Sequence, residues 1–185
     1  MELHPPSSGN SDQELDKTTK PHTYFQDNHP GDSVAYWLMK SEPDVYGIDD
    51  LARETVTLWD GIRNYQARNF MRSMCPGDRA FFYHSNTKPP GIIGLMEVVE
   101  TGLIDPSQFD PKSPYFDAGT LPEKPRWDCA RLRYLRHFPQ LLSLDALKEQ
   151  FTAEQLGVVK RGNRLSILPV PLDTAHRLLI LLEQG

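Results

Sequence analysis

The chain has 185 residues, 20 Lys and Arg against 25 Asp and Glu, 38% hydrophobic residues, 16 Pro and 2 Cys. That length suits one ordinary domain plus an appendage and is short for most multi-domain enzymes. No run approaches the roughly 18 apolar residues of a membrane helix, and the start lacks the basic-then-apolar pattern of a secretory signal; a soluble intracellular protein is expected, cytoplasmic or, in a eukaryotic cell, nuclear.

The net charge of −5 is unevenly spread, because residues 1–36 hold six acids and two bases and carry −4 of it. The near-neutral remainder can therefore present a local basic stripe to phosphate. Residues 1–33 are polar and rich in Pro, Ser, Asp and His with no hydrophobic period, which predicts a disordered acidic tail. Residues 34–185 are read as the folded domain. Cys75 and Cys129 are too few and too far apart for a disulfide framework or a Cys-x-x-Cys half-site, and are expected reduced and buried.

In chain order, the apolar run from Val34 to Lys40 predicts a strand that ends in polar Ser41-Glu42-Pro43. The segment Ile48-Asp49-Asp50-Leu51 reads as a helix start with Asp49 as N-cap, the helix reaching about Glu54. Ala67, Phe70, Met71 and Met74 share one face of a helix over Asn64 to Met74. Cys75-Pro76-Gly77-Asp78 is a turn, Arg79–His84 a strand, and Gly91–Val99 a second strand in which Gly94 marks close backbone approach or a bulge. Positions 105–126 form a long Pro- and Asp-rich loop. A strand over Trp127–Phe138 precedes a helix with Ser143 as N-cap, a strand over Arg164–Val170 and a last helix over Asp173–Glu183 with Leu178, Leu179, Leu181 and Leu182 inward. Strands with helices inserted irregularly between them indicate an α+β domain with a mostly antiparallel or mixed sheet.

No phosphate-binding glycine loop, His-Glu-x-x-His or Gly-x-Ser-x-Gly is present. His84 and Ser85 are adjacent in a strand and so point to opposite sides, which does not pair a nucleophile with its base; no catalytic residue, metal or cofactor is expected. Tryptophan is more informative. Trp37 lies in an apolar strand and reads as core. Trp59 (Trp59-Asp60-Gly61-Ile62-Arg63-Asn64-Tyr65) and Trp127 (Pro125-Arg126-Trp127-Asp128) are flanked by polar groups and Gly, as suits walls over which a planar ligand stacks.

The blocks Tyr36-Trp37-Leu38-Met39-Lys40-Ser41-Glu42-Pro43, Trp59 to Asn69, Phe82-Tyr83-His84-Ser85-Asn86, Phe109 to Tyr115 and Arg161-Gly162-Asn163-Arg164-Leu165-Ser166 resemble, in that order, the signature blocks of the EVE domain found in the thymocyte nuclear protein group. The resemblance covers about Ala35 to Leu182. It implies a PUA-like fold, a small mixed β-barrel with helices packed at its openings, related to the YTH readers of methylated adenine, and the binding of modified bases, usually cytosine derivatives in DNA. The animal relatives begin with a basic extension, whereas this tail is acidic.

Residues and resemblance meet at one site. A flipped modified base needs stacking on both faces and hydrogen bonds along its edge. Trp59 and Trp127 are the expected walls. By analogy with the YTH pocket, Ser41, Asp60 and Asn64 are the expected edge contacts, with Lys40 and Tyr65 beside them and His84, Ser85 and Asn86 closing the floor or rim. Arg63, Arg68, Lys88, Arg126, Arg161 and Arg164 are the expected phosphate contacts. The partner is then DNA or RNA carrying a methylated or hydroxymethylated base, bound by a monomer away from any membrane. Two alternatives stay open from sequence: a nucleobase-modifying enzyme using Asp60 or His84 as proton carrier, and a sensor of a free nucleobase-like metabolite.

Overall fold

Strand β1 (Tyr36–Ser41) turns Trp37 and Met39 to one side and Leu38 to the other, and all three are buried. Strand β3 (Arg79–His84) likewise buries Ala80 and Phe82 on one side and Phe81 and Tyr83 on the other. Both faces of these strands are therefore covered, which is why they read as continuous apolar runs. The computed structural model describes residues 34–184, so the tail expected over 1–33 lies outside the described residues.

The remaining strands are β2 (Val56–Trp59), β4 (Gly91–Ile104), β5 (Asp128–Ser143) and β6 (Ile167–Val170), and the sheet order is β2-β5-β4-β3-β1-β6. Only β1 and β3 pair in parallel; the other neighbours are antiparallel. Trp59 and Ile167, from the two terminal strands, join one core cluster. The sheet thus curls around that cluster, although no β2–β6 pairing closes it among the described residues. Helices α1 (Ile48–Glu54) and α2 (Tyr65–Ser73) supply Leu51, Ala67 and Met71 to the same cluster. Helices α3 (Leu144–Gln150) and α4 (Leu172–Gln184) supply Leu147, Leu178 and Leu182 to a second cluster on the opposite face, with Leu38 and Phe81. This is the α+β, PUA-like arrangement expected from sequence.

Local signals explain the element ends. Asn64 caps α2 by accepting from the N–H groups of Gln66 and Ala67, and Ser143 caps α3 by accepting from Ala146 N–H. At Gly94 the β4 register slips against β5, and a β-carbon there would stand 2.4 Å from Ile48 Cδ1, so close backbone approach and bulge coincide.

Some expectations need correction. The N-cap of α1 is Gly47, not Asp49: the Asp50 carboxylate accepts from Gly47 N–H at 2.8 Å while Asp49 is exposed. Gly47, Asp49 and Asp50 are all residue types that cap, and only the tertiary fold decides between them. Cys75 is exposed because it opens the turn before β3, whereas Cys129 is buried and burial pushes its thiol up to about 12. Strands β4 and β5 run on to Ile104 and Ser143, and β6 begins at Ile167 rather than Arg164.

Candidate functional site

The chain ends of β1, β2 and β3 and the segment leading into β6 converge on an open cleft of about 1170 Å³. It lies between the two edge strands, β2 and β6, which among the described residues do not pair with each other. Lys40 and Ser41 leave β1 into its wall, Trp59 and Asp60 leave β2, Ser85 and Asn86 leave β3, and Arg164 approaches from the β6 side. The strand ends are tied together: Ser85 N–H donates to Ser41 O at 2.8 Å, Lys40 N–H to Ser166 O at 2.8 Å, and Ser41 Oγ to Tyr46 O at 2.7 Å. Asn86 adopts a left-handed φ of 53°, which asparagine tolerates, and its amide donates to Glu42 Oε2 at 3.1 Å.

Trp59 is held in place rather than free. Its ring meets Phe82 edge-on at 5.4 Å and only 8% of the residue is accessible, so the indole is fixed by the core and contributes a rigid wall to the cleft. Behind the next residues stands a buried hub. The Asp105 carboxylate, wholly inaccessible, accepts from Gly61 N–H at 3.0 Å, Arg63 Nη1 at 2.7 Å and Ser107 N–H at 2.7 Å. Arg63 also donates to Ile62 O, Tyr115 O and Ser107 Oγ. Burial first, and the nearby Asp105 charge second, hold the Asp60 carboxyl above its usual range. Burial lowers the pKa of Lys40, whose ammonium donates to Asn163 O at 3.5 Å and lies 6.0 Å from the centre of the Tyr83 ring.

The arrangement is chemically mixed: rings from Trp59, Tyr46 and Tyr115, a carboxyl, hydroxyls and amides in one open space. The EVE domain family profile matches residues 35–181. The chain belongs to the EVE domain family. Thymocyte nuclear protein 1 of Rattus norvegicus is 38% identical to it over 166 residues, 80% of this chain and 74% of the relative. Among solved structures, a Pseudomonas syringae protein is 47% identical with a TM-score of 0.77, over 80% of this chain and 99% of that chain. Human thymocyte nuclear protein 1, solved with 5-methylcytosine-containing DNA, is 36% identical with a TM-score of 0.75, over 82% of this chain and 99% of that chain. A YTH domain of Zygosaccharomyces rouxii, solved with N6-methyladenosine RNA, has a TM-score of 0.50 at 13% identity, over 84% of this chain and 91% of that chain; this likeness is one of fold.

Several expected site residues stand elsewhere in this EVE domain. Trp127 is 5% accessible and is not part of the cleft lining. Its ring stacks on Tyr65 at 4.9 Å, the Arg63 guanidinium lies over it at 5.4 Å, and its Nε1 donates to Asp117 Oδ2 at 2.8 Å. The facing pair of indoles expected from sequence is therefore not formed, because α2 and the 105–126 loop claim the second ring. Asn64 is spent on the α2 cap, and Tyr65 on the Trp127 stack. His84 is half-buried outside the cleft, its Nε2 accepting from Ile48 N–H at 3.2 Å, and burial lowers its pKa.

The cations divide similarly. Arg68 donates to Arg126 O at 2.9 Å and lies over Tyr65, and Arg126 pairs with Asp117 at 3.6 Å, both away from the cleft. Lys88 is exposed and lines neither this cleft nor its neighbour. Arg63 lines the cleft with most of its donors engaged. Arg164 lines the cleft and Arg161 an adjoining one, and among the described residues neither forms an ion pair. Arg131 and Arg133 pair with Glu100 and Glu97 of the neighbouring strand, and Arg136 with Glu183 of α4. Sequence reasoning missed Tyr46 and Tyr115 as cleft rings; the one available signal was Tyr115 in the Phe109 to Tyr115 block.

Proposed function

We propose that this EVE domain is a non-catalytic reader that holds one modified base of a nucleic-acid strand in the 1170 Å³ cleft. The observation that carries the reading is the meeting of the rigid Trp59 indole with Asp60, Ser41, Ser85 and Asn86 in one open space. A flipped base needs a ring to stack on and fixed polar groups along its edge. The binding of 5-methylcytosine-containing DNA by the human relative supports the same ligand class for this chain.

Stacking is worth roughly 1–3 kcal/mol per base, so Trp59 alone only matches an unstacking cost of a few kcal/mol. A second ring is required, and with Trp127 outside the lining the cage falls to Tyr46 and Tyr115. Ser41 Oγ already donates to Tyr46 O, which leaves its lone pairs to accept from the base. Asp60 offers acceptors to an exocyclic amine. Burying one methyl adds only about 0.8 kcal/mol, so a few-fold preference for the modified base is expected. The name of the relatives, thymocyte nuclear protein, supports a nuclear location.

The test is a binding panel of methylated, hydroxymethylated and unmodified oligonucleotides, single- and double-stranded, with product mass checked after incubation. The reading expects a reversible complex, unchanged mass and tighter binding of a modified strand; equal affinity for modified and plain strands would overturn it.

A further inference from the structure

Beside the first cleft lies a second, of about 650 Å³, and the two share Lys40, Ser85, Asn86 and Asn163 as a common wall. Pockets that bury small ligands run to about 300–1,000 Å³, so the second space is of useful size. Its lining includes four cations, Lys40, Lys148, Lys160 and Arg161, and no carboxylate. In a chain of net charge −5 that local excess is not a reflection of composition. The same lining carries the Tyr83 ring and the aliphatic Pro90, Leu144, Val158 and Val159.

Lys40 makes the strongest demand. It stands half-buried between the two spaces, and among the described residues its ammonium has the long contact to Asn163 O and the Tyr83 ring at 6.0 Å but no carboxylate within ion-pair distance. Lys148 is matched by Asp145 at 2.9 Å, whereas Lys160 and Arg161 are exposed with no ion pair among the described residues. A desolvated cation without a counter-charge is unfavourable until an anion arrives. Ring and aliphatic groups beside cations in one lining fit a sugar and base joined to a phosphate, and fit neither a free base nor an acidic peptide as well.

We infer that the second cleft receives the nucleotide adjoining the held base, with the connecting phosphodiester on Lys40 and the strand leaving past Lys160 and Arg161. This rests on the reading of the first cleft as the base site. It makes the ligand a strand rather than a free nucleobase. It also favours single strands, since a neighbour entering its own cleft must leave the stack.

The experiment compares wild type with Lys160→Gln/Arg161→Gln, using single-stranded DNA with one central 5-methylcytosine and, separately, the 5-methylcytosine nucleoside, over a salt series. Each lost phosphate contact removes about 0.7 from the slope of log affinity against log salt for a single strand. The variant is expected to show a slope shallower by about 1.4 and weaker strand binding, with nucleoside binding unchanged. An unchanged slope, or an equal loss for the nucleoside, would overturn the inference. Both side chains are exposed, so the variant is expected to melt as wild type does. Should it not, Lys160→Gln alone, with a change of about 0.7, makes the same comparison. A wild type whose slope depends on these residues but which ignores the methyl group would sink the base reading and leave the strand path standing.

Discussion

The ring of Tyr115 lies across the α-carbon of Gly61: a β-carbon built there would stand 2.8 Å from Tyr115 Cε2. Gly61 also has a φ of +76°, a region that disfavours any side chain by roughly 1–2 kcal/mol. The two demands are separable. Gly61→Ala is expected to lower stability by more than the backbone term and to weaken base binding, because Tyr115 must leave its place in the cleft wall. Adding Tyr115→Ala should recover the steric part of the stability loss in thermal melts and none of the backbone part. Full recovery in the double variant would show that φ carries no strain.

Trp59 and Trp127 look alike in sequence and divide in the structure. Trp59→Leu keeps an apolar group against Phe82 but removes the stacking plane, so strand affinity should fall by about 1–3 kcal/mol while the protein stays folded. Trp127→Ala removes the stack on Tyr65 and the hydrogen bond to Asp117, and the expected stability loss is about 3–5 kcal/mol. Below its melting point that variant should bind a modified strand nearly as wild type does. Paired denaturation and titration of both variants decide the matter; an affinity loss confined to Trp127 would reverse the assignment.

That division shows where the sequence was legible. The apolar runs over Val34–Lys40 and Arg79–His84 were readable as strands because strand preference is local; that Trp37, Met39, Ala80 and Phe82 face one core and Leu38 and Phe81 the other is what the fold adds. The helix cap at Ser143 and the Gly94 bulge were equally local, whereas Asn64, expected at the base edge, is taken by the α2 cap. Ser41 and Asp60 were named through the family resemblance and Trp59 through its polar neighbours; with Ser85 and Asn86 they line one cleft at the strand ends. What escaped depends on long separations. Arg63 is consumed by Asp105, 42 positions away, and Trp127 by Tyr65 and Asp117. Tyr115 reaches the cleft from an irregular loop whose path no period encodes.

Asp105 is the point where that loop is fastened to the Trp59 segment. It is wholly inaccessible, and its partner Arg63 is 21% accessible at the side chain. Asp105→Asn keeps the shape but turns one acceptor into a donor facing Gly61 N–H, Arg63 or Ser107. Breaking a buried pair on one side leaves an uncompensated charge, and about 3–5 kcal/mol of destabilisation is expected. Urea unfolding measures it. A loss under about 1 kcal/mol, the scale of an exposed pair, would mean that Arg63 finds other anchors and that the hub is not what fixes Tyr115.

His84 ties the start of α1 to β3 as a neutral acceptor from Ile48 N–H. Burial lowers its pKa from the ordinary 6.5; Asp49 opposes the shift and His137, itself 3.5 Å from Asp49, adds to it. Between the folded and unfolded values the unfolded chain binds more protons, so stability rises with pH across that window. The contribution is therefore complete above about 6.5 and is lost as pH falls below it, when the imidazolium can no longer accept from Ile48 N–H. His84→Gln retains an acceptor oxygen without a titration. Unfolding free energies measured from about pH 5 to about pH 7.5 should fall with acid more steeply in wild type than in this variant. Other titrating groups are common to both proteins and cancel in the difference, so equal slopes would mean that His84 takes up its proton as readily in the folded state as in the unfolded chain.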